Sequence, residues 1–98
     1  MTTIDFITEL FCQIDDAMQG VRKHSQATLF PSELVTIGLL FALKGVGERA
    51  FYRWLNRDYR SLFPGLPERS RLFRLLTTHH LWTDRFLAEP SWLGVADS

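Results

Sequence analysis

The chain has 98 residues, enough for one small domain and too few for two, so its activity has to come from a single core rather than a large enzyme cleft. Hydrophobic residues make up 46% and charged residues 22%, which is globular and argues against a disordered polyelectrolyte. The formal net charge is zero, which excludes a generally basic nucleic-acid binder, yet the charge is unevenly placed. Between Lys44 and Arg74 lie eight basic and three acidic residues, a local excess of +5 that the remainder of the chain balances, and seven of those eight are arginine. The single cysteine, Cys12, has no internal disulfide partner; it falls within an apolar helical pattern, is expected to be buried, and suits a reducing cytoplasm. The opening residues MTTIDFITELF are acidic and do not form a secretory signal. The longest apolar run, Leu34 to Leu43, is about half the ~20 residues a bilayer span needs, so no membrane segment is expected.

Ile7, Leu10, Phe11, Ile14 and Met18 recur with helical spacing, and Asp5, Glu9, Asp15 and Asp16 supply an acidic remainder, so residues 4–19 are predicted to form an amphipathic helix that Gly20 ends. Residues 21–30 have no sustained period and are expected to form a surface loop. Pro31, Ser32 and Glu33 are first-turn residues for a second helix. Its body, Leu34 to Leu43, is apolar nearly all round, which predicts burial on several sides and a central position, with Gly45 as a left-handed stop. A third helix is predicted over Gly47–Tyr59, with Ala50, Phe51, Trp54, Leu55 and Tyr59 toward the core. Arg49, Arg53, Asn56, Arg57 and Arg60 then share another face. FPGLP at 63–67 is a turn, and Pro67 suits the first turn of a fourth helix running to about His79, with Leu72, Phe73, Leu75 and Leu76 inward and Arg71 and Arg74 outward. A short fifth helix is predicted over Leu81–Ala88, with Trp82 and Phe86 as its apolar residues and Pro90 closing it. The tail from Trp92 to Ser98 reads as an approach to a strand with no partner strands. The predicted fold class is all-α: a small bundle of about five helices with helix-turn-helix-like elements and an orphan C-terminal strand.

The arginine surface, comprising Arg49, Arg53, Arg57, Arg60, Arg71 and Arg74, is the leading candidate site, because two helices with basic outer faces can place one helix in a DNA groove and the other on phosphates. The plain alternative is a solvated basic face offset by the acidic first helix. His24, His79, His80 and Cys12 do not make a metal-binding set, since no paired C-x-x-C exists and adjacent helical histidines diverge; His79 and His80 are expected to end the fourth helix. Gly45-Val46-Gly47 follows a helix, not a strand, and so lacks the context of a dinucleotide-binding loop. Asp15 and Asp16 read as a solvated pair. Asp97 follows the apolar Leu93-Gly94-Val95-Ala96, a context that sets a carboxylate at a strand, although on spacing alone it is an exposed terminal residue.

The run Pro31-Ser32-Glu33-Leu34-Val35-Thr36-Ile37-Gly38-Leu39-Leu40-Phe41-Ala42-Leu43-Lys44-Gly45 resembles the S-E-h-h-T-h-h-h-L-h-F-x-x-x-G helix of bacterial DDE-type insertion-sequence transposases, especially the group numbered nine-eighty-two. Phe51-Tyr52-Arg53-Trp54-Leu55, Leu62-Phe63-Pro64-Gly65-Leu66-Pro67 and Ser70-Arg71-Leu72-Phe73 are similar to the aromatic helix, F-P-x-L turn and following helix of the same family, in the same order. Leu93 to Ser98 looks like its h-h-h-D-S/T strand, in which Asp97 matches the first aspartate of the DDE triad. The resemblance implies a helical N-terminal domain at 1–90 that engages the ends of a mobile element. It further implies that 91–98 begins an RNase H-like domain whose Mg2+-dependent chemistry cuts and joins strands in DNA transposition and recombination. The sequence ends at Ser98, so the expectation is a DNA-binding, catalytically incomplete fragment with no cofactor of its own, cytoplasmic, with DNA and another transposase chain as partners. The competing expectations are a protein-interaction or inhibitory module and a remnant without function.

Overall fold

The computed structural model describes residues 2–21, 23 and 27–88, and these form an all-helical bundle: α1 (Thr3–Ala17), α2 (Pro31–Lys44), α3 (Glu48–Asp58), a 3-10 turn (Arg60–Leu62), α4 (Arg69–Thr78) and α5 (His80–Leu87). The expected orphan strand, with Pro90 and Asp97, lies outside the described residues, as does His24.

Helix α1 starts at a reciprocal cap. The Thr2 hydroxyl accepts from the Asp5 amide at 3.1 Å and the Asp5 carboxylate accepts from the Thr2 amide at 3.3 Å, so two donors left free by helix geometry are satisfied. Ile7, Leu10, Ile14 and Met18 are buried, as their spacing predicts. Cys12 is exposed, contrary to the expectation of a buried thiol. It lies two residues from Leu10 and two from Ile14, and at about 100° per residue that turns it to the far side of the helix.

Helix α2 is the centre of the bundle. Pro31 stands in its first turn and the Glu33 carboxylate accepts from the Phe30 amide at 2.8 Å; Gly45, with φ of 68°, ends it in the left-handed region. Ser32 and the whole run Leu34–Leu40 are buried, against α1 on one side and α4 and α5 on the others. Its polar groups are satisfied inside the core: the Thr36 hydroxyl donates to the Ser32 carbonyl, and the Ser32 hydroxyl donates to the Asp15 carboxylate of α1, each at 2.7 Å. Asp15 therefore ties α1 to α2 rather than standing as half of a solvated acidic pair. Gly38 permits the approach of α5, since a Cβ there would lie 2.6 Å from the Thr83 hydroxyl oxygen.

An aromatic cluster joins α2, α3 and α4: Phe41 meets Phe51 and Phe73 edge-on, with ring centroids 5.1 and 5.0 Å apart. Phe51, Leu55, Phe63 and Leu72 are almost completely buried, each contributing ~1.5–3 kcal/mol of transfer free energy. Ala50, expected inward, is exposed; the buried stripe of α3 is carried by Phe51 and Leu55, with Tyr52, Trp54 and Tyr59 half-buried beside them. Helix α4 begins at Arg69, two residues beyond Pro67: Glu68 is extended and its carbonyl accepts the first helical bond from the Leu72 amide at 2.9 Å, while the Pro67 carbonyl accepts from the Tyr52 hydroxyl at 2.6 Å. His79 separates α4 from α5, and His80 belongs to α5, its Nδ1 lying 2.9 Å from the Asp84 carboxylate one turn on; the expectation that both histidines end α4 holds only for His79. The link between α3 and α4 spans residues 59–68 and contains the 3-10 turn, so it is longer than the tight turn of a helix-turn-helix.

Candidate nucleic-acid interface

Among the described helices, α3 has the sharpest division of faces. At about 100° per residue, Arg53 lies roughly 160° from both Phe51 and Leu55, so burying those two side chains turns Arg53 outward. Arg49 and Arg57, one turn to either side, lie along the same ridge, and all three are exposed. On α4 the burial of Leu72 and Phe73 leaves Arg71 and Arg74 exposed, and α4 packs against α3.

The six arginines differ in what they engage. Arg57 forms a bidentate pair with Asp58, Nε and Nη2 each 2.9 Å from a carboxylate oxygen, and this contact raises the arginine pKa and holds the Asp58 carboxyl below its ordinary range, chiefly through the hydrogen bond. Arg60 folds back, donating to the Asn56 side-chain carbonyl at 2.6 Å and the Leu66 carbonyl at 3.4 Å. The side chains of Arg49, Arg53, Arg71 and Arg74 make no hydrogen bond or ion pair with another described residue, so their guanidinium forks are available to an external anion. Arg71 in addition lines a cleft between α2, α4 and α5. Beside the ridge, the Lys44 ammonium lies 4.4 Å from the centroid of the Trp54 ring, so the last turn of α2 adds a cation close to α3.

Two features of this surface are not visible in the residue pattern. The capture of Arg57 by its neighbour Asp58 depends on rotamers at the end of α3, and that of Arg60 on the course of the 63–66 turn. The cleft draws on segments far apart in the chain. Among the described residues no group of three histidine, cysteine or acidic side chains is arranged to hold a metal ion, and no helix is long and apolar enough to cross a membrane. No protein family, curated protein or solved structure matches the chain.

Proposed function

We propose that this helical unit binds duplex DNA through the outer ridge of α3, supported by α4, as the N-terminal region of an insertion-sequence transposase does. The observation that carries the reading is the pair Arg49 and Arg53: exposed, unpaired among the described residues and opposite the buried face of α3. Arg74 and Arg71 add phosphate contacts from α4. The order of the helix, turn and aromatic motifs, which resemble that family from Pro31 to Phe73, further supports it. In this reading the strand chemistry of transposition belongs to a catalytic domain whose first Mg2+ ligand corresponds to Asp97, and the helices supply attachment to the element ends.

Four available guanidinium groups set the expected salt response: log of the association constant should fall against log salt with a slope of about −3.6 on duplex DNA. A mobility-shift or anisotropy titration at several salt concentrations measures it. The double variant Arg49→Ala/Arg53→Ala should lower the slope by roughly two units and weaken binding across all sequences. Salt-insensitive binding, no binding by a folded sample, or an unaffected double variant refutes the proposal.

A second reading, association with another transposase chain, is favoured by apolar side chains left outside the core, notably Leu81 at 72% exposure on α5 and Ile4 at 51% on α1. A dimer in solution that persists when Arg49 and Arg53 are alanine would favour it over DNA contact.

A further inference from the structure

The cleft between α2, α4 and α5 has a volume of about 460 Å3, within the ~300–1,000 Å3 typical of small-molecule sites. Its lining draws on Leu34 and Val35 of α2, Leu75 of α4, Trp82 of α5 and, from the segment ahead of α2, Thr28 and Leu29. Arg71 and His79 are also at the cleft, and no acidic side chain is among its described lining residues. Arg71 and Leu75 of α4 and His79 at its C-cap are spaced by four, so they follow one side of the helix, with Arg71 roughly 12 Å from His79 along the axis. The result is a mostly apolar cleft bordered by a cation whose guanidinium has no carboxylate partner among the described residues.

We propose that this cleft binds a small amphipathic monocarboxylate, its carboxylate on the Arg71 fork and its hydrocarbon body along Leu75, Val35 and Trp82. An apolar wall alone would accept any greasy molecule of suitable length. The guanidinium, unpaired among the described residues, supplies the discrimination, because it accommodates a planar carboxylate with two parallel charge-assisted N–H···O bonds, whereas an alcohol of the same length accepts only one neutral hydrogen bond. His79, at the far end of the row, faces the distal part of the ligand. The site does not depend on DNA contact, and its test contains no DNA. Arg71 is nevertheless shared between the two readings, so an occupied cleft would remove one phosphate contact from the basic surface.

The test uses decanoate and decanol, each kept below the concentration at which it self-associates, titrated into isotopically labelled chain and followed by amide and side-chain NMR. The proposal expects one-to-one binding of decanoate with shifts centred on Leu34, Val35, Leu75 and the Trp82 indole, and decanol at least tenfold weaker. Arg71→Gln, at an exposed position whose folding the same spectra verify, should bring decanoate down to the level of decanol, and Arg71→Lys should retain part of the preference. Equal affinity for acid and alcohol, shifts centred elsewhere, an Arg71→Gln variant that binds decanoate as the parent does, or no saturable binding would each overturn it.

Discussion

Gly65 is where one added methyl group should cost most. An ideal Cβ there would sit 1.9 Å from the Thr28 carbonyl oxygen and 2.9 Å from its carbon, backbone atoms with no rotamer to relieve the clash. Ordinary contact begins near 3.4 Å, so the 63–66 turn or the 27–29 segment has to move by about 1.5 Å. Neither is free to do so, because Phe63 and Leu66 on one side and Leu29 on the other are buried at 1%, 4% and 5% exposure. The expected loss for Gly65→Ala is therefore at the upper end of overpacking costs, about 3 kcal/mol. At roughly 4–8 °C per kcal/mol for a domain of this size, the melting temperature should drop by at least ~12 °C. Gly45→Ala is the comparison: its φ of 68° makes any Cβ strained, but nothing lies within 4 Å, so only the left-handed backbone penalty of ~1–2 kcal/mol applies. Thermal unfolding of both variants by far-UV circular dichroism decides the matter, and a Gly65→Ala protein that melts no lower than Gly45→Ala refutes the steric account.

Gly38→Ala should destabilise by ~1–3 kcal/mol, since its Cβ meets the Thr83 hydroxyl at 2.6 Å, and adding Thr83→Ala should recover much of that loss in a double-mutant cycle measured by urea unfolding. Ser32→Ala removes the hydroxyl that links α2 to Asp15 and should cost ~1 kcal/mol by the same measurement; no change would show that water replaces the bond at no cost. Asp58→Asn frees Arg57 and deletes a negative charge beside the ridge, so DNA affinity should rise and the salt slope steepen by about one unit, whereas weaker binding would place Asp58 in a different role. The Asp58 carboxyl is held low in the folded chain, so the stabilisation from its pair with Arg57 is present above the ordinary carboxylate pKa and fades as pH falls through the lowered value. The parent's salt slope should steepen over that acid window while the Asp58→Asn slope stays level.

What could be read in the sequence depended on how local its cause was. Pro31, Glu33 and Gly45 bound α2 by rules that act within one helical turn, and the nearly all-apolar stretch Leu34–Leu40 is buried on every side, which sets the helix in the middle of the bundle, while Ala42 and Leu43 in its last turn are exposed. The arginine ridge of α3 was legible for the same reason: four-residue spacing and one buried stripe determine the opposite face. Cys12 and Ala50 were misplaced because a small residue near an apolar stripe does not reveal whether it lies inside the stripe or just past its edge. Tyr52 went unassigned because its burial depends on the Pro67 carbonyl it reaches. The pairing of Arg57 with Asp58 and the retreat of Arg60 turn on side-chain rotamers and the course of one turn, and the cleft beside Arg71 on the positions of distant segments; periodicity carries neither.

The docking of α1 has a consequence for how the chain acquires its shape. This first helix packs chiefly on α2, whereas α2 is also held by α4 and α5. Its oily edge of Ile7, Leu10 and Ile14 therefore finds its place chiefly once Pro31–Lys44 has followed it. In the finished molecule the same arrangement lets the leading helix swing away as a separate, smaller excursion than complete melting, and its amides should trade hydrogen for deuterium well before those of the helix it covers.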